Sequence, residues 1–128
     1  MSGRPSQKRR PSQQRRKAEQ AGRWAEAVAA LLLRLKGYRI IGQRQRGPVG
    51  EIDIIARRGR VLALVEVKQR ASRTAALEAV SPRQQARITR AAALLEVRHP
   101  EFARLDRRFD VVLVTPWRLP VHVMDAWR

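Results

Sequence analysis

The chain has 128 residues, enough for one domain of ordinary size, and 44% of them are hydrophobic, so it can bury a core. It has no cysteine and only two widely separated histidines, His99 and His122, which excludes disulfide scaffolds, structural zinc fingers and thiol catalysis and disfavours a histidine metal site or a serine triad. With 28 Lys and Arg against 11 Asp and Glu, the net charge of +17 predicts a polyanionic partner, most simply nucleic acid.

The first 17 residues carry seven basic and no acidic side chains, together with prolines, serines and glutamines. This composition predicts a disordered basic arm over 1–17, followed by a single domain over 18–128 with a net charge of +10. The arm is either a phosphate-binding segment or a solvated tail without function. Its candidate substrate contacts are Arg9, Arg10, Arg15 and Arg16. No apolar stretch resembles a secretory signal or a bilayer span, so we expect a cytoplasmic protein with no membrane segment.

Residues 18–36 show the spacing of an amphipathic helix. One apolar stripe consists of Trp24, Ala25, Val28, Leu31, Leu32 and Leu35. A second apolar stripe, which accompanies Glu26, consists of Ala29, Ala30 and Leu33. Glu26 therefore either faces the sheet or lies exposed and pairs with Arg23. Gly37 is expected just after the helix end.

The rest of the chain predicts five strands and one long helix. The strands are expected over 38–46, 51–57, 61–68, 109–115 and 121–127. Ser81 and Pro82 form a strong helix start, and the helix should stop before Pro100. The segment 69–80 is expected to be a mobile connection. The order α-β-β-β-α-β-β predicts an α/β fold in which helices flank a mixed sheet.

The predicted hairpin over 51–68 carries the candidate chemistry, because its apolar strands include charged residues, which are costly in a buried strand unless they are paired or bind a metal. A two-residue loop at Arg58 and Gly59 would pair Ile55 with Leu62. The charged residues would then share one face near the open end of the hairpin, with two of the carboxylates roughly 5–8 Å apart at their β-carbons. These residues are Glu51, Asp53, Glu66 and Lys68.

Two carboxylates, from Asp53 and Glu66, together with the Val67 carbonyl would offer the hard oxygen ligands that suit Mg²⁺ or Mn²⁺. Such a metal would polarise a phosphodiester and lower the pKa of a bound water. Lys68 would orient that water or stabilise the charge that develops on the phosphate. The alternative is a cross-strand cluster of ion pairs that holds no metal.

Asp53 followed by Glu66-Val67-Lys68 resembles the Asp…Glu-x-Lys core of restriction-endonuclease-like nucleases. More closely, the chain resembles the YraN-type family of small, largely uncharacterised bacterial proteins, which is grouped with Holliday-junction-resolvase-like folds. The matching segments are Gly22-Arg23-Trp24-Ala25-Glu26, Lys36-Gly37-Tyr38, Gly50-Glu51-Ile52-Asp53-Ile54-Ile55-Ala56, Val65-Glu66-Val67-Lys68 and Arg108-Phe109-Asp110-Val111-Val112.

This resemblance implies a restriction-endonuclease-like fold and Mg²⁺- or Mn²⁺-dependent hydrolysis of phosphodiesters in DNA, including branched DNA. By position, Asp53 and Glu66 would be metal ligands, Lys68 the catalytic lysine and Glu26 an acidic residue near the metal. Family members often carry a lysine at the start of the second long helix. This chain has Gln84 there, followed by Gln85, and both are candidate substrate contacts without charge.

Two other functions stay open. In the first, the chain is a non-catalytic nucleic-acid-binding protein that retains the fold. In the second, it docks its basic arm on ribosomal or other structured RNA. A monomer and a homodimer are both compatible with the sequence. We expect Asp110 to be structural, paired with Arg108 or another arginine, His99 to lie at a helix end, and His122 to lie on the surface of a strand.

Overall fold

A computed structural model describes residues 22–47 and 50–127 of the chain. The predicted basic arm over 1–17 lies outside the described residues, as do Pro48 and Val49 of a predicted turn. The described part is a mixed α/β structure with one five-stranded sheet flanked by helices, which confirms the predicted fold class. In chain order the elements are α1 (22–35), β1 (Arg39–Gly47), β2 (Gly50–Arg58), β3 (Val61–Lys68), α2 (Arg73–Glu78), α3 (Pro82–Arg98), a 3₁₀ helix (Pro100–Arg104), β4 (Asp106–Leu113) and β5 (Val121–Trp127).

The strand order in the sheet follows the chain, from β1 to β5. Neighbouring strands are antiparallel except β3 and β4, which are parallel, with Lys68 beside Leu113. A parallel pair needs a long crossover, and α2 and α3 provide it. The C-terminal ends of β3 and β4 therefore lie at the same end of the sheet as the start of β2. We refer to this end as the Lys68 end.

The sheet separates two apolar clusters, because successive side chains of a strand point to opposite faces. Leu64 belongs to the cluster that includes Ile88 and Ala92 of α3, whereas Val65 belongs to the cluster that includes α1. The α1 residues in contact with the sheet are Ala25, Ala29, Ala30 and Leu33. These small side chains bring the N-terminal half of α1 close to the strands.

The two apolar stripes of α1 are buried to different extents. Leu33, from the stripe that accompanies Glu26, is fully buried, whereas Leu31 and Leu35 of the Trp24 stripe are 56% and 78% exposed. Ala29, Ala30 and Leu33 therefore pack on the sheet together with Ala25, which is the innermost residue of the Trp24 stripe.

Gly37 ends α1, as predicted, in the left-handed conformation with φ of +89°. The Tyr38 N–H donates to the Leu33 carbonyl at 2.9 Å, and the Gly37 N–H donates to the Arg34 carbonyl at 3.0 Å. These are the two bonds of a Schellman motif, which favours glycine because a β-carbon is strained in this conformation.

The second long helix begins as predicted, with Pro82 in its first turn and the Ser81 hydroxyl accepting the Gln84 N–H at 3.2 Å. The prediction of an irregular connection over 69–80 is wrong in part, because α2 lies within it. The Ser72 hydroxyl caps α2 by accepting the Ala75 N–H at 3.1 Å. A six-residue helix is too short to show a hydrophobic period. No helix in the described part of the chain is long and apolar enough to cross a membrane.

The hairpin of β2 and β3 differs from its predicted register by two residues. Ile55 lies opposite Leu64 rather than Leu62, because the two-residue turn is Gly59-Arg60, with φ of +59° at Gly59. A shift of two residues keeps every side chain on its face, whereas a shift of one would reverse them all. The predicted juxtaposition of charged side chains near the open end is compatible with this register.

Asp110 forms the predicted ion pair with Arg108, and the Asp110 side chain is fully buried. Arg108 donates to both carboxylate oxygens, through Nε at 2.8 Å and Nη2 at 2.7 Å. His122 lies 2.7 Å from the same carboxylate with only 3% of its side chain exposed, so its predicted surface position is wrong. Burial alone would raise the pKa of Asp110, but hydrogen bonds from His122, Arg108 and the Asp125 backbone lower it to about 2.

Candidate active site

A cleft of about 250 Å³ opens at the Lys68 end of the sheet, between the start of α1, the start of β2 and the end of β3. Its lining includes most of the residues that the sequence indicated, and these come from α1, β2 and β3. They are Glu26, Asp53, Glu66, Val67 and Lys68, whereas Glu51 is not among the lining residues.

Asp53 is fixed at the point where the β2–β3 ladder ends. Backbone pairing runs as far as Ile54 and Val65, and beyond it Asp53 Oδ2 accepts the Val67 N–H at 2.9 Å. Ile52 joins the α3 cluster together with Ile55, so the strict alternation predicted for β2 fails here. The carboxylate thus replaces a backbone partner and is held against the end of β3.

Glu66 is buried, with 7% of its surface exposed. Its Oε1 accepts a hydrogen bond from Gln84 Nε2 at 3.0 Å and lies 3.2 Å from Lys68 Nζ. Gln84 reaches Glu66 because Ser81 and Pro82 begin α3 beside the end of β3. Glu66 is therefore held by one neutral donor and one cation, and Lys68 is itself largely buried, with 15% of its side chain exposed.

The buried carboxyl group of Glu66 and the partly buried carboxyl group of Asp53 perturb each other. Burial, followed by the charge of Asp53, raises the pKa of Glu66 from 4.5 to about 7, against the opposing effect of Lys68. Burial also raises the pKa of Asp53, against the hydrogen bond from Val67. A hydrogen bond between the two carboxyl groups raises the pKa of Glu66 and lowers that of Asp53. Near neutral pH the pair therefore tends to share one proton.

Glu26 lines the cleft with 14% of its side chain exposed, but its partner is one that the sequence did not indicate. Its Oε2 forms an ion pair of 2.5 Å with Arg44 Nε, rather than with Arg23. Arg44 lies on β1 in a left-handed conformation, with φ of +53°, and no local pattern indicates a contact between β1 and α1. Within 22–47 and 50–127, no three Asp, Glu or His side chains are grouped so that they could hold a metal ion.

The remaining predicted contacts lie in three places. Gln84 is at Glu66, as described above. Gln85 donates from Nε2 to the Val80 carbonyl at 3.0 Å, so its amide contacts the chain just before α3. The four arginines of the basic arm lie outside the described residues.

The donor set at Asp53 and Glu66 fits a hard divalent cation. Mg²⁺ is commonly held by one or two carboxylates and completes its shell with water and substrate oxygens. These two adjacent carboxylates repel each other when both are ionised, and a cation between them would remove that repulsion. Asp53 and Glu66 would bind the ion, and Val67, whose N–H is already used by Asp53, would offer only its carbonyl.

A family model and individual relatives point to the same protein family. Residues 25–114 match the model of the uncharacterised protein family UPF0102. A UPF0102 protein of Parvibaculum lavamentivorans is 61% identical over 104 residues, which cover 81% of this chain and 78% of that protein. The chain belongs to the UPF0102 family. A UPF0102 protein of Paramagnetospirillum magneticum is 53% identical over 84% of this chain and 86% of its own length.

Membership of UPF0102 confirms the YraN-type resemblance drawn from the sequence motifs. The matched region begins within α1 and ends just after β4, so it contains all five predicted residues that line the cleft. The family's description as uncharacterised assigns no reaction. The chemistry must therefore be argued from the cleft itself.

Proposed function

We propose that this UPF0102 protein is a metal-dependent endonuclease of the restriction-endonuclease-like class that hydrolyses phosphodiesters in DNA, including branched DNA. The observation that supports the proposal most strongly is the convergence of Asp53, Glu66 and Lys68 on one cleft. Two of these groups are carboxyl groups, Glu66 buried and Asp53 partly buried, whose pKa values are raised, and such groups cluster at functional sites.

Three residues of the cleft have a role in the proposed reaction, namely Asp53, Glu66 and Lys68. When bound, Mg²⁺ or Mn²⁺ would polarise the phosphodiester and lower the pKa of a water molecule. Asp53 and Glu66 would hold the ion, and Glu66 would keep Lys68 Nζ in place through the 3.2 Å ion pair. Lys68 would stabilise the negative charge that develops on the phosphate as the water oxygen joins phosphorus and one P–O ester bond breaks.

The charge of the chain supports a nucleic-acid substrate. The net charge of +17 attracts phosphate backbones without regard to sequence. Three of the 11 acidic residues of the chain line the cleft, and they are Glu26, Asp53 and Glu66. Contacts of this kind position a substrate and leave the choice of bond to its shape. The proposal therefore predicts little sequence preference and binding that weakens steeply with salt.

Cleavage assays on linear, flap and four-way-junction DNA test the reaction. We expect Mg²⁺- or Mn²⁺-dependent cleavage of at least one substrate, and a loss of about 100-fold or more in the Asp53→Asn and Lys68→Met variants. Glu96→Gln is the matched control, because Glu96 lies in a partly exposed ion pair with Arg107, away from the cleft. Cleavage that persists undiminished in both cleft variants would show that another site is responsible.

Metal binding can be tested independently of turnover. In calorimetry, we expect Mn²⁺ or Mg²⁺ to bind the unmodified chain and to bind Asp53→Asn or Glu66→Gln much more weakly. Because burial raises the pKa of Glu66 to about 7, metal binding near neutral pH should release protons, seen as a dependence of the heat on the buffer. Equal metal affinity in all three proteins would contradict the proposed ligands.

A specific observation favours a second candidate, a nucleic-acid-binding protein without catalysis. Arg44 on Glu26 and Gln84 on Glu66 satisfy two of the cleft carboxylates without a metal. This candidate predicts DNA or RNA binding with a steep salt dependence, no calorimetric response to metal and no cleavage. Deletion of 1–17 would separate RNA binding by the basic arm from binding by the rest of the chain. Sedimentation of the chain bound to nucleic acid would distinguish a monomer from a homodimer.

A further inference from the structure

The loop between β4 and β5 presents a bare aromatic side chain to solvent. Trp117 is 102% exposed, and Leu119, two residues later, is 88% exposed. Trp117 also has φ of +66°, a left-handed conformation that is strained for a bulky residue. The loop thus holds a large apolar side chain away from the protein at a cost in both solvation and backbone strain.

The base of this loop is held in place. The Thr115 hydroxyl donates to the Arg70 carbonyl at 2.9 Å, and the Arg118 N–H donates to the Thr115 carbonyl at 3.3 Å. Pro116 and Pro120 flank the tip and restrict its backbone. The tip Trp117-Arg118-Leu119 is therefore presented on a preorganised turn.

The base of the loop lies at the Lys68 end of the sheet, beside the cleft, so the tip projects from the edge of the cleft. The Val114 N–H donates to the Lys68 carbonyl at 2.9 Å, and Arg70, whose carbonyl holds Thr115, lines the cleft. Between Val114 and Pro120 the only charged residue is Arg118, and it is positive. An aromatic ring next to a cation, at the edge of a cleft in a strongly basic chain, suits a ligand with both a flat apolar face and negative charge.

We propose that Trp117 stacks on an unpaired base of the nucleic acid bound at the cleft, while Arg118 contacts the adjacent phosphate. This inference rests on the proposed nucleic-acid substrate and specifies its class, namely DNA with unpaired or splayed bases at a flap or junction. A nucleobase offers the flat π-face that an exposed tryptophan stacks on, and in a blunt duplex most of these faces are covered. The tip would thereby direct the cleft to branch points.

The test is binding in the presence of EDTA, so that no cleavage intervenes, with a flap DNA that carries 2-aminopurine at its first unpaired base. Trp117→Ala should weaken flap binding about 5- to 150-fold, the equivalent of one stacked base, and leave blunt-duplex binding unchanged. Trp117→Phe should retain most of the affinity and the quenching of 2-aminopurine. Trp117→Leu, which keeps an apolar side chain without a π-face, should behave like alanine.

Leu35→Ala is the matched control, since Leu35 is 78% exposed and lies at the far end of α1 from the cleft. A uniform loss on flap and duplex, or full affinity in Trp117→Leu, would overturn the stacking role. Binding to vesicles with anionic lipid that is lost in Trp117→Ala, with flap binding intact, would assign the tip to a lipid surface and would also overturn it.

These outcomes separate the inference from the proposed reaction. A Trp117-dependent preference for flaps in a chain that never cleaves DNA would uphold the stacking role and refute the nuclease. Metal-dependent cleavage that Asp53→Asn abolishes and Trp117→Ala leaves unchanged on every substrate would uphold the nuclease and refute the stacking role.

Discussion

The carboxyl pair of Asp53 and Glu66 makes the stability of the metal-free protein depend on pH in a defined direction. Glu66 has a pKa of about 7 in the folded chain and 4.5 when unfolded, so between these values the folded state binds more protons than the unfolded state. Stability is therefore fully present below about pH 4.5 and is lost as the pH rises through about 7. A shift from 4.5 to about 7 corresponds to about 3 kcal/mol, since each tenfold change in proton affinity is worth about 1.4 kcal/mol.

Glu66→Gln tests this reasoning directly, because the amide keeps the shape of the side chain and removes its charge. Urea unfolding in EDTA, followed by circular dichroism at several values between pH 5 and pH 8, should give a falling free energy of unfolding for the unmodified chain. The variant should lack most of this fall and should be the more stable protein at pH 8, by up to about 3 kcal/mol. Glu96→Gln, from a partly exposed ion pair, should retain the slope of the unmodified chain.

Parallel pH profiles for Glu66→Gln and the unmodified chain would refute the argument, since the slope would then come from other groups. Added Mg²⁺ provides a second check at pH 8. A cation that binds only the folded chain should recover part of the lost stability in proportion to the logarithm of its concentration, and it should have no such effect on Glu66→Gln.

Three further predictions concern the fold. Leu33→Ala should lower the free energy of unfolding by about 3–5 kcal/mol because Leu33 is fully buried, whereas Leu35→Ala should lower it by less than about 0.5 kcal/mol because Leu35 is exposed. Equal losses in urea titrations would show that the buried face of α1 is assigned wrongly. Asp110→Asn should lower the free energy of unfolding by about 3 kcal/mol by leaving Arg108 without its carboxylate. This cost should shrink as the pH falls from 3.8 to about 2, because the unfolded Asp110 binds a proton there while the folded carboxylate stays charged; a cost that is the same at pH 2 and pH 7 would contradict this. Gly37→Ala should lower the free energy of unfolding by about 1–2 kcal/mol because alanine is strained in the left-handed conformation. Steric contact adds nothing, since a β-carbon there would lie 3.7 Å from Arg58 Cδ, an ordinary van der Waals distance. An unchanged thermal unfolding curve would contradict the Schellman motif at the end of α1.

Local signals in the sequence were enough to predict most elements. Strand β3 and helix α3 occur where composition and the Ser81-Pro82 start predicted them, because propensity, capping and burial agree there. Where two local patterns compete, the sequence is ambiguous. Helix α1 has two apolar stripes, and only the distance between helix and sheet decides that Leu33 rather than Leu35 is buried.

The candidate site was predictable for a different reason. Charged residues in apolar strands are informative because they are costly there unless they are paired or bind a metal. The two-residue difference in register does not reverse the faces of β3, so Glu66 stays at the predicted place. What the sequence could not indicate are the partners from other elements, namely Arg44 at Glu26 and the precise hydrogen bond from Gln84 to Glu66. These contacts depend on the tertiary path of β1 and on where α3 begins beside β3.

The energetic cost of the acidic pair itself supports a functional role. A glutamine at position 66 would keep a hydrogen bond with Gln84 and bury no charge, so a structural role would be served better without the carboxylate. The fold instead keeps Glu66 beside Asp53, at a cost that rises with pH, and places Lys68 within 3.2 Å of it. In a chain with a net charge of +17, a nucleic acid needs no acidic residues to bind. Such a pair is useful when a cation must be held against a phosphate, which is the role that the proposed reaction gives it.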